Sequence, residues 1–176
     1  PAIKGQVIGA FGLTESNAGS DAAAIETTAI RKGNKYIING NKMYISNGPI
    51  CDFVLLVAYT DKSQVASKGI STFIVDSDTP GLSRTKLEKF CGRSTDTAEL
   101  FFDDCAVPAE NLVGEEGRGF IYVLESLDAG RISHSATSVG LAQAAYEAAL
   151  DYAQQRVQFG QPIYKFQVNS FKLAKM

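Results

Sequence analysis

Hydrophobic residues recur at strand-like spacing over the first two thirds of the chain and at helical spacing afterwards. Runs at 6–13, 27–31, 36–39, 43–46, 53–59, 70–76 and 98–104 predict an all-β domain of about seven strands, sandwich-like or barrel-like. The run FVLLVAY at 53–59 has no polar face, so a strand covered on both sides is expected. KGNK at Lys32 and NGNK at Asn39 place glycine and asparagine between runs and read as turns. TDKSQVASKG at 60–69 reads as a surface loop, and DTPGL ends another strand.

The period changes after Pro108. From about Gly117, Phe120, Val123, Leu124 and Leu127 fall on one helical face, and that stripe runs on into Arg131 and His134. Burying a guanidinium without a partner is costly, so Arg131 is expected to meet an anion or a carbonyl. From Ser133 to Ala149 the helix is rich in Ser, Gly and Ala, which permits close approach of another helix or of a flat ligand. Gly160 and Pro162 mark its end, and a second helix is expected over 163–176. The expected division is a β-domain at 1–115 and the first helices of a bundle at 116–176.

Composition narrows the class. The 176 residues are 45% hydrophobic and 20% charged, as in ordinary globular proteins. With 17 Lys and Arg against 19 Asp and Glu the net charge is -2, which offers no field for nucleic acid or an anionic membrane. Membrane insertion is not expected, since no apolar run approaches spanning length. Cys51, Cys91 and Cys105 form no C-x-x-C pair, so neither a disulfide framework nor a metal site is indicated, and a reducing compartment fits. No targeting segment is read in the chain.

Motifs for side-chain chemistry mostly fail. GEEGRG at 114–119 has neither dinucleotide nor P-loop spacing, and its glutamates would repel phosphate; it reads as a strand-to-helix connection. His134 is the only histidine, and no serine lies in G-x-S-x-G. If the protein is an enzyme, a cofactor is expected to carry the hard step. The loop FGLTESNAGSD at 11–21 suits a ligand rich in acceptors, because Thr14, Ser16, Ser20 and backbone amides present donors. A polar turn between strands explains the same loop.

Four ordered stretches carry a resemblance: FGLTESNAGSD, YIINGNKMYISNG, LDAGRI and QQRVQFGQPIYKFQ. Together they resemble, nearly end to end, the acyl-CoA dehydrogenases, with the short-chain, butyryl-type members most similar. The resemblance implies a fragment of a three-domain fold: the middle β-domain followed by a long helix and the start of a second. It also implies FAD as cofactor. Phe11, Leu13 and Thr14 would face the flavin on one side, and Tyr44, Ile45 and Ser46 would cover the ring from the other. Ser20, Asp128 and Arg131 would contact the acyl-CoA. Arg156, Phe159 and Gln167 would reach the FAD of a neighbouring subunit in a homo-oligomer, expected to be a tetramer. Without the resemblance, Arg156 reads as a solvated cation near a helix C-terminus. Tyr44 stands where the family often has tryptophan, and Ser16 where it often has proline.

The activity so implied is FAD-dependent α,β-dehydrogenation of an acyl-CoA thioester, with electrons leaving to an electron-transferring flavoprotein. A localisation in bacterial cytoplasm or the mitochondrial matrix goes with it. An acyl-CoA oxidase is the alternative within the family, and a non-catalytic β-sandwich binding module with a helical oligomerisation arm is the alternative outside it. No catalytic residue is assigned within the chain. Gly130 stands immediately before Arg131, where some members carry the glutamate base, so the base is expected beyond Met176.

Overall fold

The computed structural model describes all 176 residues, which divide into two compact units, Pro1–Leu124 and Glu125–Met176. In the first unit seven strands form one curled sheet: β1 (Gly9–Gly12), β2 (Thr28–Lys32), β3 (Lys35–Ser46), β4 (Phe53–Tyr59), β5 (Ile70–Asp76), β6 (Leu82–Lys86) and β7 (Thr97–Pro108). The expected all-β domain followed by helices is what folds.

Strand β4 organises the sheet. One edge pairs along its whole length with antiparallel β5, from Phe53↔Asp76 to Tyr59↔Ile70. The other edge takes parallel β1 from Gly9↔Phe53 to Gly12↔Leu56, then β2 at Thr28↔Tyr59. From β2 the path continues through β3 and β7 to β6. The FVLLVAY run explains this placement, since Val54, Leu56 and Ala58 enter one core cluster and Val57 another. The first cluster holds Tyr36, Ile38, Ile45, Phe73, Val75 and Leu100; the second holds Leu13, Ala18, Ile25, Ile70 and Val123. A strand buried on both faces has no use for a polar residue.

Three local expectations change. KGNK is a hairpin turn with Gly33 at φ 62°, but NGNK is no turn. Residues 36–46 run on as one strand, and NGNK marks a bulge where Ile38↔Cys105 gives way to Gly40↔Phe102. There Asp103 and Asp104 face Asn39 alone, and the Asn39 amide exchanges hydrogen bonds with Asp104, whose φ is 45°. A bulge and a turn use the same residue types for the same positive φ, so the local signal does not separate them. Strand β6 appears where only a strand end was read, and the loop at 60–69 contains one helical turn, α1 (Ala66–Gly69).

Helix α2 (Gly119–Gln155) begins in the first unit, with Phe120 and Val123 against the second core cluster. In the second unit α2 is followed by a hairpin, β8 (Val157–Gln158) and β9 (Gln161–Pro162), a 3-10 turn at Ile163–Lys165, and α3 (Gln167–Lys175). Helix α2 thus ends at Gln155, ahead of the Gly160 and Pro162 expected to mark its end, and the second helix begins at Gln167, not Ile163. No helix is long and apolar enough to cross a membrane.

Candidate functional site

The loop after β1 is tied at several points. Glu15 and Ala18 exchange backbone hydrogen bonds of 2.9 and 3.2 Å, closing a tight turn that leaves Ser16 and Asn17 exposed. Thr14, half-buried, accepts a 2.8 Å hydrogen bond at its carbonyl from the Met43 N–H of β3. Phe11 projects from β1 with partial exposure, Leu13 turns into the core, and Ser20 lies exposed beyond the turn. This unit therefore brings the residues around Thr14 beside those around Tyr44, two stretches that the sequence separates by about thirty positions.

Beneath this junction lies an ion pair that sequence reasoning missed. Lys42 and Glu15 are both buried, with Nζ 2.7 Å from Oε1. Lys42 also donates to the Leu13 carbonyl at 3.0 Å. Glu15 accepts from the Thr27 hydroxyl at 2.6 Å, the Thr27 N–H at 3.1 Å and the Glu26 N–H at 2.6 Å. Burial works against both charges. For Glu15 it is the largest single influence, yet the donors from Lys42, Thr27 and Glu26 outweigh it and hold the carboxyl below its ordinary range. For Lys42 burial wins, with only Glu15 opposing it, and pushes the ammonium down to about 8. Both groups are thus charged at neutral pH. The signal was present: in one continuous strand Lys42 follows Tyr36 and Ile38 on the inward face, but reading NGNK as a turn hid the phase.

Strand β3 then bulges again. Lys42 pairs with Leu100 and Ile45 with Ala98, so Met43 and Tyr44 together face Glu99. The extra residue puts Tyr44 at φ 61° and turns its ring outward, 68% exposed, while Ile45 returns to the core at 2%. A bulky side chain at positive φ is a genuine outlier. Ser46 is exposed. The turn that follows is pinned from β6 by Arg84, which donates to the carbonyls of Gly48 at 3.2 Å and Ser77 at 2.6 Å.

The remaining site residues lie in the second unit. Arg131 is exposed and not on a buried stripe; its guanidinium meets Asp128 one turn earlier, so the anion it needs is on its own helix. The apolar pattern does not predict burial there, because α2 beyond Val123 keeps its large apolar side chains largely exposed within this unit. Phe159 sits at the tip of the β8–β9 hairpin at φ 50°, 93% exposed, its ring edge-on to Phe166 at 6.0 Å. Arg156 starts the hairpin, accepting at its carbonyl a 2.9 Å bond from the Ile163 N–H, and Gln167 opens α3. Arg156 and Phe159 thus belong to one hairpin, and Gln167 directly follows Phe166, whose ring Phe159 meets. Gly130 has open space where a Cβ would stand.

Phe11 and Tyr44 thus each present an exposed aromatic ring, and Thr14 lies half-buried in the first of the two stretches. A family model described as acyl-CoA dehydrogenase, middle domain, matches residues 10–105, and one described as acyl-CoA dehydrogenase, C-terminal domain, matches residues 117–176. The chain belongs to the acyl-CoA dehydrogenase family. It is 47% identical to the short-chain specific acyl-CoA dehydrogenase of Megasphaera elsdenii over 178 residues, covering 100% of this chain and 46% of that protein. Among solved structures it superimposes on butyryl-CoA dehydrogenase from Megasphaera elsdenii with a TM-score of 0.92, at 46% identity, over 99% of this chain and 46% of that one. A glutaryl-CoA dehydrogenase from Mycobacterium smegmatis in complex with FADH2 matches with a TM-score of 0.86 at 34% identity, over 97% of this chain and 43% of that one. The chain spans about half the length of the relatives it matches.

Proposed function

We propose that the protein is an FAD-dependent acyl-CoA dehydrogenase that converts an acyl-CoA thioester to the trans-2-enoyl-CoA. Residues 1–115 would form its flavin- and acyl-CoA-binding β-domain, and residues 116–176 would open its helical bundle. The observation that carries this reading is backbone strain. Four non-glycine residues have positive φ: Tyr44, Asn47, Asp104 and Phe159. Asparagine and aspartate accept this region readily; the two aromatics do not. Both aromatics are exposed, the family resemblance gives each to a flavin, Phe159 to a neighbouring subunit's, and strain of this kind gathers at ligand sites.

Bound FAD would supply the acceptor for the hydride leaving the β-carbon. The chain's own residues would bind and orient. Phe11 and Tyr44 would offer aromatic surface to the ring system, and the Thr14 hydroxyl would donate a hydrogen bond to its polar edge. Leu13 and Ile45 have their side chains in the core, so their part would be played by backbone groups. Ser46 would complete that wall. Ser20, Asp128 and Arg131 would hold the acyl-CoA, with Asp128 already orienting the guanidinium. Arg156, Phe159 and Gln167 would reach a neighbouring subunit's FAD, the planar guanidinium forking onto phosphate oxygens. By the family resemblance the base would be a carboxylate beyond Met176, since Gly130 holds the position before Arg131 where some members carry it. Electrons would pass on to an electron-transferring flavoprotein.

The test is to purify the full-length protein and identify the nucleotide released on denaturation. FAD in near-equimolar amount is the expected result. A colourless protein that takes up no FAD on reconstitution would overturn the reading.

A further inference from the structure

We propose that the buried Glu15–Lys42 pair is the positioning device of the flavin site, setting the distance and register between the Thr14 wall and the Tyr44 wall. This rests on the flavin reading above. Lys42 belongs to β3, two residues before Tyr44, yet its ammonium is spent on the other wall: it donates to the Leu13 carbonyl at 3.0 Å and to Glu15 at 2.7 Å. Glu15 directly follows Thr14 and is itself anchored to a third segment through Glu26 and Thr27. The Met43 N–H to Thr14 carbonyl bond, 2.8 Å, lies between these contacts. Residues 13, 14 and 15 are thus each bonded to residue 42 or 43, and the chain has no freedom to slide one wall past the other.

Fold stability alone does not account for a charged pair at this point. Well-packed apolar residues in place of a buried ion pair commonly leave stability unchanged or raise it. What they do not reproduce is direction: an ammonium with two fixed acceptors and a carboxylate with three further donors define a geometry that apolar contacts leave loose. The bulge that turns Tyr44 outward begins immediately after Lys42, so a shift of the lysine backbone moves the strained tyrosine with it. A flat ligand held between the two walls is sensitive to such a shift.

The test uses full-length protein and the double variant Glu15→Gln, Lys42→Met, which removes both charges at nearly constant volume; the single variants leave a charge unpaired and are not used to read FAD binding. Four quantities are measured: the unfolding midpoint, amide exchange of Met43 in the flavin-free protein, the FAD dissociation constant, and quenching of flavin fluorescence in the bound state. The double variant is expected to unfold near the wild-type midpoint, to exchange the Met43 amide faster, and to bind FAD roughly tenfold or more weakly, the effect of one misplaced hydrogen bond. Fluorescence quenching of the flavin it still binds should fall. A double variant with wild-type FAD affinity, quenching and Met43 exchange would overturn the proposal, as would one whose only change is a lower unfolding midpoint. Should the variant not fold, Lys42→Arg, which keeps the charge but alters reach, takes its place with the same readouts: unchanged affinity and quenching count against the proposal, and altered values with native unfolding support it. Failure of the wild type itself to bind FAD would instead remove the flavin reading, and this proposal with it.

Discussion

At the scale of single residues, Tyr44 sets stability against function. An L-residue in the left-handed region is disfavoured by about 1–2 kcal/mol, and glycine there regains part of that against its greater freedom in the unfolded chain, about 0.4–1 kcal/mol. Because the tyrosine is mostly exposed, little burial is lost with it. Tyr44→Gly should therefore leave the flavin-free protein as stable as wild type or up to about 1 kcal/mol more stable in urea unfolding, while FAD binds more weakly. A variant that is clearly less stable, with FAD affinity unchanged, would contradict the assignment. Thr14→Val keeps the shape and removes the hydroxyl; loss of a polar partner should cost about 1–3 kcal/mol in FAD affinity, read by titration. The Glu15 carboxyl sets a pH limit. Its pKa is held below the ordinary 4.5 in the folded chain, so its contribution to stability is complete above that value and is lost as pH falls through the folded pKa. Unfolding free energy measured against pH should decline in that acid window, and Glu15→Gln should flatten the decline.

At the scale of elements, strands of one buried face or two were legible, because β4 and β5 declare themselves by composition and length. The continuity of β3 through Asn39 and Gly40 was not. Asn39 and Gly40 are turn residues locally, and only β7 lying alongside, with Asp104 bonded to Asn39, decides that the strand continues. The same misreading concealed Lys42, whose inward phase exists only in an unbroken strand. The β8–β9 hairpin was hidden for a related reason: Phe159 at φ 50° is not a residue from which a tight turn is read, although Gly160 beside it is. That hairpin carries the prediction at this scale. If Arg156 reaches a neighbour's FAD, Arg156→Lys should weaken FAD retention by about 1.5–3 kcal/mol, the worth of a hydrogen bond to a charged group. It should also lower the assembly state in sedimentation, since a ligand shared between subunits stabilises the assembly by mass action. A flavin-loaded monomer would contradict it.

At the scale of the whole molecule, the class of the fold followed from hydrophobic period, and the family from four ordered motifs. The pairing of β1 with β4 did not, because it joins segments about forty residues apart and no local pattern specifies the partner. The site residues likewise fall in two compact units, so what unites them is the reaction proposed and not their proximity in sequence. That reaction makes one measurement decisive. Full-length protein is mixed with butyryl-CoA under anaerobic conditions while the visible absorption of its flavin is followed and the acyl product is identified by mass. The flavin band is expected to bleach on mixing, with trans-2-enoyl-CoA appearing in proportion to the flavin reduced. A flavin band unchanged by butyryl-CoA and by longer and branched acyl-CoA thioesters would contradict it.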